Sequence, residues 1–145
     1  VEVSGADLST PFNGRTLGET LLEPTRIYVK PLLALMKEMH VKGLAHITGG
    51  GITGNVPRVL PENVTAVIET GSWTWPAAFQ WLQQQGNVAL PEMHRTFNCG
   101  IGMVLIVDKG DAESAMKFLG ARGETVYRLG EIRAREAGQE QTVIV

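Results

Sequence analysis

Cysteine is almost missing from this chain: Cys99 is the only one in 145 residues. An internal disulfide is excluded, and a reducing compartment fits. Charge is equally undramatic, with 13 Lys and Arg against 15 Asp and Glu and a formal net charge of −2. No basic stripe exists to neutralise a row of phosphates, so no nucleic-acid partner is expected. No apolar run approaches the roughly twenty residues that cross a bilayer, and no signal-peptide pattern opens the sequence. The expectation is a cytoplasmic protein without a membrane partner. Three histidines, His40, His46 and His94, with a lone cysteine, do not make a zinc pattern, and no metal ligand is predicted. What remains is the composition of one ordinary globular domain, 43% hydrophobic and 19% charged.

Hydrophobic spacing gives alternating helices and strands. A short helix is expected over Leu17 to Glu23, stopped by Pro24, and a clearer one over Val29 to His40. In the second, Leu32, Leu33, Leu35, Met36 and Met39 fall at helical spacing and read as core, with Pro31 in the first turn. Leu44 to Ile47 suits a strand, Ile52 to Leu60 a helix, and Val64 to Glu69 a strand with alternating exposure. Pro76 opens a helix through Gln85 with Gly86 at its end, and a short helix begins near Pro91. Met103 to Val107 reads as a central strand, Asp111 to Leu119 as a helix, Val126 to Ile132 as a strand and Val143 to Val145 as an edge strand. The predicted fold class is α+β, in α/β/α layers, with a mixed sheet of roughly four or more strands covered by helices.

The most informative stretch is Gly43 to Arg58, where His46 stands beside three consecutive glycines between two apolar segments. Gly49, Gly50 and Gly51 can take positive φ and let the backbone approach a ligand without a Cβ in the way. A helix starting near Ile52 turns its first free amides toward the same spot, which suits phosphate or carboxylate, and Arg58 could add a bidentate contact. The spacing is not that of the common nucleotide loops, and the lysine of the phosphate-binding loop is absent. A tight strand-to-helix turn is the competing explanation of the glycines, and a satisfied core histidine that of His46.

Taken together, three segments resemble a known family. Gly43 to Arg58 is similar to the glycine-rich signature of the aminoimidazole ribonucleotide synthetase family, also called phosphoribosylformylglycinamidine cyclo-ligase, in its C-terminal domain. Pro91 to Met103, reading Pro-Glu-Met-His-Arg-Thr-Phe-Asn-Cys-Gly-Ile-Gly-Met, resembles a second family segment, and Pro24 to Val29 a third. The resemblance runs from about Thr16 to the C-terminus. It implies that residues 1–15 are an inter-domain connection and 16–145 the C-terminal domain, partly ferredoxin-like. It also implies an N-terminal domain, absent here, that holds most of the ATP and Mg2+ contacts and the homodimer interface. The isolated domain is then expected to be inactive alone.

The resemblance further implies the reaction: ATP activates the formyl oxygen of formylglycinamidine ribonucleotide, an amidine nitrogen attacks, and the imidazole ring closes to give aminoimidazole ribonucleotide, ADP and phosphate. On that account His46 is the candidate substrate contact or proton-transfer group. Thr48, Gly49, Gly50, Gly51, Asn55 and Arg58 are candidates for binding phosphoryl oxygens, either of the substrate's ribose phosphate or of the reacting group. Arg95, Thr96 and Asn98 could orient polar substrate atoms, although Arg95 could instead pair with Glu92 on a short helix. His40 is expected to face the carbonyls at its helix end, His94 to be solvated or structural, and Cys99 to be a buried inert thiol. Trp73 and Trp75 form either a contact patch for the absent domain or a cap on the sheet. Two other classes stay open: related ATP-dependent enzymes such as formylglycinamidine ribonucleotide synthetase or selenophosphate synthetase, and a non-catalytic binding module.

Overall fold

Asn13 and Gly14 both take positive φ, 50° and 82°, the backbone that a two-residue hairpin turn requires. They join β1 (Pro11–Phe12) to β2 (Arg15–Thr16), paired antiparallel, in the computed structural model, which describes residues 4–145. The segment expected to be a plain connection therefore carries a small hairpin of its own. Thr16 then starts α1 (Leu17–Leu21) with a reciprocal cap: its Oγ1 accepts from the Glu19 amide at 3.1 Å, and the Glu19 carboxylate accepts from the Thr16 amide at 2.8 Å. Two amides that the helix leaves without partners are satisfied at once. Thr16→Ala is expected to lower stability by about 1 kcal/mol, seen as a lower urea midpoint at unchanged m-value.

The long apolar helix forms as α2 (Val29–Glu38), but its stripe is divided. Leu32 and Leu35 are buried, Leu35 against Ala115 and Leu119 of α6 (Ala112–Gly120), whereas Leu33 and Met36 face solvent. The expected five-residue core face is thus corrected to Leu32, Leu35 and the half-buried Met39, which recur at i, i+3 and i+7 on one face, whereas Leu33 and Met36 stand about 100° round the helix from Leu32 and Leu35.

Strands occur largely where expected, and they are shared between two main sheets. β3 (Val41–His46) pairs antiparallel with β5 (Met103–Val107), with His46 opposite Met103. β4 (Val64–Ile68) is the centre of a mixed three-stranded sheet, antiparallel to β6 (Gly130–Ala134) and parallel to β7 (Thr142–Ile144). The α+β class and the mixed sheet are as predicted, while the hydrogen bonds draw no single ferredoxin-like sheet. β5, expected at the centre, is paired on one side only. Residues 65–68 are all buried rather than alternating, as befits a central strand covered on both faces.

The remaining helices are α3 (Gly51–Asn55), α4 (Ala77–Gly86) and α5 (Leu90–Thr96). The helix expected over 52–60 changes to a 3-10 turn at Val56–Val59, since Pro57 has no amide to continue the ladder. Asn87, at φ 46°, takes the left-handed residue that ends α4 in place of Gly86. Ile47, Ile52, Val56, Ile68, Met93 and Ile101 share one core, which fixes the end of β3, α3 and α5 against β4.

Candidate functional site at the end of strand β3

Ala45 and Ile47 are 4% and 2% exposed, and His46 between them is exposed. Strand alternation puts the imidazole on the open face, so His46 is not a core histidine. Its ring meets that of Tyr28 edge-on, with centroids 6.2 Å apart. Tyr28 in turn lies over Gly102, where an added Cβ would stand 2.0 Å from its hydroxyl oxygen, and Gly102 accepts the Ile47 amide at 2.9 Å. Residues from three distant segments, 24–29, 43–58 and 91–103, therefore meet at one point. Burial pushes the Tyr28 hydroxyl above its ordinary pKa, so it remains a neutral donor.

The glycine run bends sharply after β3. Gly50 and Gly51 have φ of 101° and 58°, a left-handed pair that only glycine holds without strain. Asn55, 5% exposed, closes the bend from inside: its Nδ2 donates to Gly51 O at 2.8 Å and lies 3.3 Å from the carbonyls of Thr48 and Gly49. The amide hydrogens of Asn55 are thus spent on the loop, and a side-chain carbonyl does not attract phosphate. Its assignment as a phosphoryl ligand is corrected to that of a latch. Thr48 and Gly49 are exposed. The loop offers a ligand the Thr48 hydroxyl, the Gly49 and Gly50 amides, and the Thr53 amide in the first turn of α3, which has no i−4 acceptor inside the helix.

The other candidates lie on other elements. Arg58 is exposed on the 3-10 turn, seven residues beyond Gly51, which is about 10 Å along a helical axis. Arg95 lies on α5 and is folded onto Glu92, Nε at 2.8 Å and Nη2 at 2.5 Å from its carboxylate oxygens. Thr96 donates to the same carboxylate at 2.9 Å, and these bonds, that from Arg95 foremost, hold Glu92 below the usual carboxylate range. Asn98 Oδ1 accepts the Gly100 amide at 2.9 Å, fixing a turn in which Cys99 and Gly100 are left-handed. Each of these three residues has a local structural role that explains its position.

Comparison with known proteins decides the family. The model of the AIR synthase related protein, C-terminal domain, matches residues 1–142. The chain belongs to this family. Relatives named phosphoribosylformylglycinamidine cyclo-ligase include one from Cupriavidus pinatubonensis, 59% identical over 145 residues, which are the whole of this chain and 41% of the relative. Those of Methylobacillus flagellatus and Neisseria meningitidis are 56% and 57% identical, over 100% and 99% of this chain and 42% of each relative. The chain spans about two fifths of the length of these curated relatives.

In this AIR synthase related domain a cavity of about 830 Å3 opens elsewhere, between β5 and residues 124–132, with Arg26, Tyr28 and Pro76 in its lining. None of the ten residues singled out in the sequence lines it. Tyr28 is the residue that links this cavity to His46, and Arg26 is fixed nearby by Glu124 at 2.7 Å and the Gly123 carbonyl at 2.8 Å. Their signal was the segment Pro24 to Val29, visible as a block but without residue roles. Among the described residues, no three His, Cys, Asp or Glu side chains gather in a set able to hold a metal ion, and no lysine stands on the loop to cradle a nucleotide.

Cys99 is fully buried and is no nucleophile, since burial pushes its thiol up to about 11. The only histidine close in sequence, His94, is itself 3% exposed rather than solvated, with its ring among Trp73 and Trp75. Trp73 is buried too and donates Nε1 to the Cys99 carbonyl at 3.0 Å, so it belongs to the core rather than to a contact patch. At pH 8 a pKa near 11 leaves roughly one thiol in a thousand ionised, against about one in ten for an unperturbed group. Thiol-disulfide titration of the native protein at pH 8 is expected to run at least a hundredfold slower than in denaturant.

Proposed function

We propose that this chain is the C-terminal part of an ATP-dependent cyclo-ligase of purine biosynthesis, which converts formylglycinamidine ribonucleotide to aminoimidazole ribonucleotide. The observation that carries the reading is 59% identity, over every residue of the chain, to a protein bearing that enzyme's name. An amide oxygen is a poor leaving group. ATP supplies the phosphoryl group that makes it a good one, with ADP released; the amidine nitrogen then bonds to the formyl carbon, the carbon–oxygen bond breaks, and phosphate departs with loss of a proton from nitrogen. On this reading ATP, Mg2+ and the homodimer contacts belong to the remainder of the full-length enzyme, which is also the domain partner of this chain in the cytoplasm. Among the described residues no three His, Cys, Asp or Glu side chains gather to hold a metal ion, which is in keeping with Mg2+ belonging to that remainder.

The chain's own contribution is positioning and proton transfer. The Thr48 hydroxyl and the Gly49 and Gly50 amides bond phosphoryl oxygens of the substrate, and Asn55 holds those groups in place by binding the loop carbonyls behind them. His46, exposed beside Tyr28, accepts the proton that the attacking nitrogen sheds. Holding amidine and formyl carbon together makes the attack intramolecular, which is where most of the acceleration arises. The loop assignment is tested by Gly50→Val in the full-length enzyme. A β-branched residue does not hold φ of 101°, so the amides turn away, and KM for the substrate is expected to rise about 10- to 100-fold, the worth of one or two charged hydrogen bonds. An unchanged KM in a folded variant would remove the loop from the substrate site.

A further inference from the structure

α2 is apolar over more of its circumference than the domain buries. Leu32 and Leu35 face the core, while Val29, Leu33 and Met36, at i, i+4 and i+7, form a second stripe roughly a quarter-turn round the helix and are 58%, 56% and 49% exposed. The segment leading into the helix continues the pattern, with Leu22 and Ile27 at 81% and 79% exposure. Among the described residues, seven of the eleven large apolar side chains that face solvent lie between Leu8 and Met36. Single exposed leucines are ordinary, but a helix face of this kind marks a surface that is covered in the working protein.

On the cyclo-ligase reading, on which this inference rests, the chain is the C-terminal part of a longer polypeptide. The relative at 59% identity is matched over only 41% of its length, so more than half of the full-length enzyme precedes this chain. That part enters the fold beside the apolar surface: the Leu8 and Thr10 carbonyls accept the Gly18 and Leu17 amides of α1 at 2.8 and 2.9 Å, which lays the incoming segment along the helix that ends at Leu21. At its other side the surface reaches the His46 site, since Tyr28 stands between Ile27 and Val29 and its ring meets that of His46. Lys30 and Lys37 are exposed on the flank of the stripe away from Leu32 and Leu35, and neither has an ion-pair partner among the described residues. We propose that Val29, Leu33 and Met36, with Leu22 and Ile27, form the docking surface for the preceding part of the same polypeptide, which presents an apolar face edged by carboxylates to Lys30 and Lys37. Docked there, it borders Tyr28 and His46, so that surface and site are completed together.

Cysteines placed singly in the full-length enzyme by Leu33→Cys and Met36→Cys, with Glu113→Cys at an exposed position of α6 as reference, test it through alkylation rates read peptide by peptide. The first two are expected to react about tenfold or more below the reference rate, because they are reached only when the docked part opens. That protection should not depend on protein concentration. In a Leu33→Asp background Met36→Cys is expected to rise to the reference rate, since a carboxylate does not stay buried against an apolar face. Alkylation of both at the reference rate, or continued protection of Met36→Cys beside Leu33→Asp, would overturn the proposal. Protection that fades on dilution would overturn it too, by assigning the stripe to a second copy of the protein. Failure of the cyclo-ligase reading is a separate result: wild-type full-length enzyme would then not turn over formylglycinamidine ribonucleotide, whatever the thiols do.

Discussion

Full-length enzyme carrying His46→Ala is expected to lose about 10²- to 10⁴-fold in kcat, the usual worth of a positioned acid–base group, while its melting temperature moves by no more than about 2 °C. The separation of these two effects follows from where the ring lies. His46 is exposed at the last position of β3, and the residues that hold that strand end in the core are its neighbours Ala45 and Ile47. Truncating an exposed side chain away from buried features changes stability by about 0.5 kcal/mol or less. Its one ring neighbour, Tyr28, makes an edge contact at 6.2 Å, of a kind worth about 1 kcal/mol or less. A structural role would couple loss of turnover to loss of stability; a chemical role uncouples them. Added imidazole should restore part of the rate to His46→Ala and none to Gly50→Val, because only the first leaves a hole of that shape beside intact loop amides. A kcat within about threefold of wild type would end the assignment of His46 as a proton acceptor.

How far such a site can be seen in the sequence depends on what fixes each residue. The placement of His46 was legible in outline: apolar residues alternate with it, and period two in a strand forces the face it occupies. The glycine bend was legible for the same local reason, since left-handed backbone needs glycine. Asn55 was not. Whether its amide faces a ligand or the carbonyls of Thr48, Gly49 and Gly51 depends on how tightly the bend closes, and the bend closes against α5, some forty residues away. Arg95 was legible as an alternative, since Glu92 stands at i−3, and the pair forms. Tyr28 was hidden because its position over Gly102 is purely tertiary. In the fold, apolar runs marked most strands, but the division into two sheets is set by long-range pairing that no local pattern encodes. The strand expected over 126–132 illustrates this: β6 runs Gly130–Ala134 because its register is dictated by β4, from Ile68 opposite Gly130 to Val64 opposite Ala134.

Gly51→Ala is expected to destabilise the domain by about 2–5 kcal/mol, through one methyl group. Two costs add. The residue has φ of 58°, a conformation that costs an L-residue with a Cβ about 1–2 kcal/mol. The Cβ itself would stand 1.9 Å from the His94 carbonyl oxygen and 2.9 Å from that of Phe97, both backbone atoms at the end of α5 that cannot rotate aside. Overpacking of a tight site costs about 1–3 kcal/mol more, and here relief requires α3 and α5 to part, stretching the Thr53 hydroxyl bond to His94 O, already 3.4 Å. Two neighbouring glycines separate these terms. Gly50→Ala meets only the Asn55 amide nitrogen at 3.6 Å and the Gly54 Cα at 3.7 Å, so it carries the backbone cost alone, about 1–2 kcal/mol at φ of 101°. Gly54→Ala, helical with nothing within 4 Å of the new Cβ, is expected to stabilise by about 0.4–1 kcal/mol, because alanine leaves fewer states to lose on folding. Urea denaturation of the three variants should therefore give one large loss, one moderate loss and one gain within five residues. If Gly51→Ala cost no more than Gly50→Ala, the close approach of α3 to α5 would yield to a methyl group and could not be what holds the loop in shape.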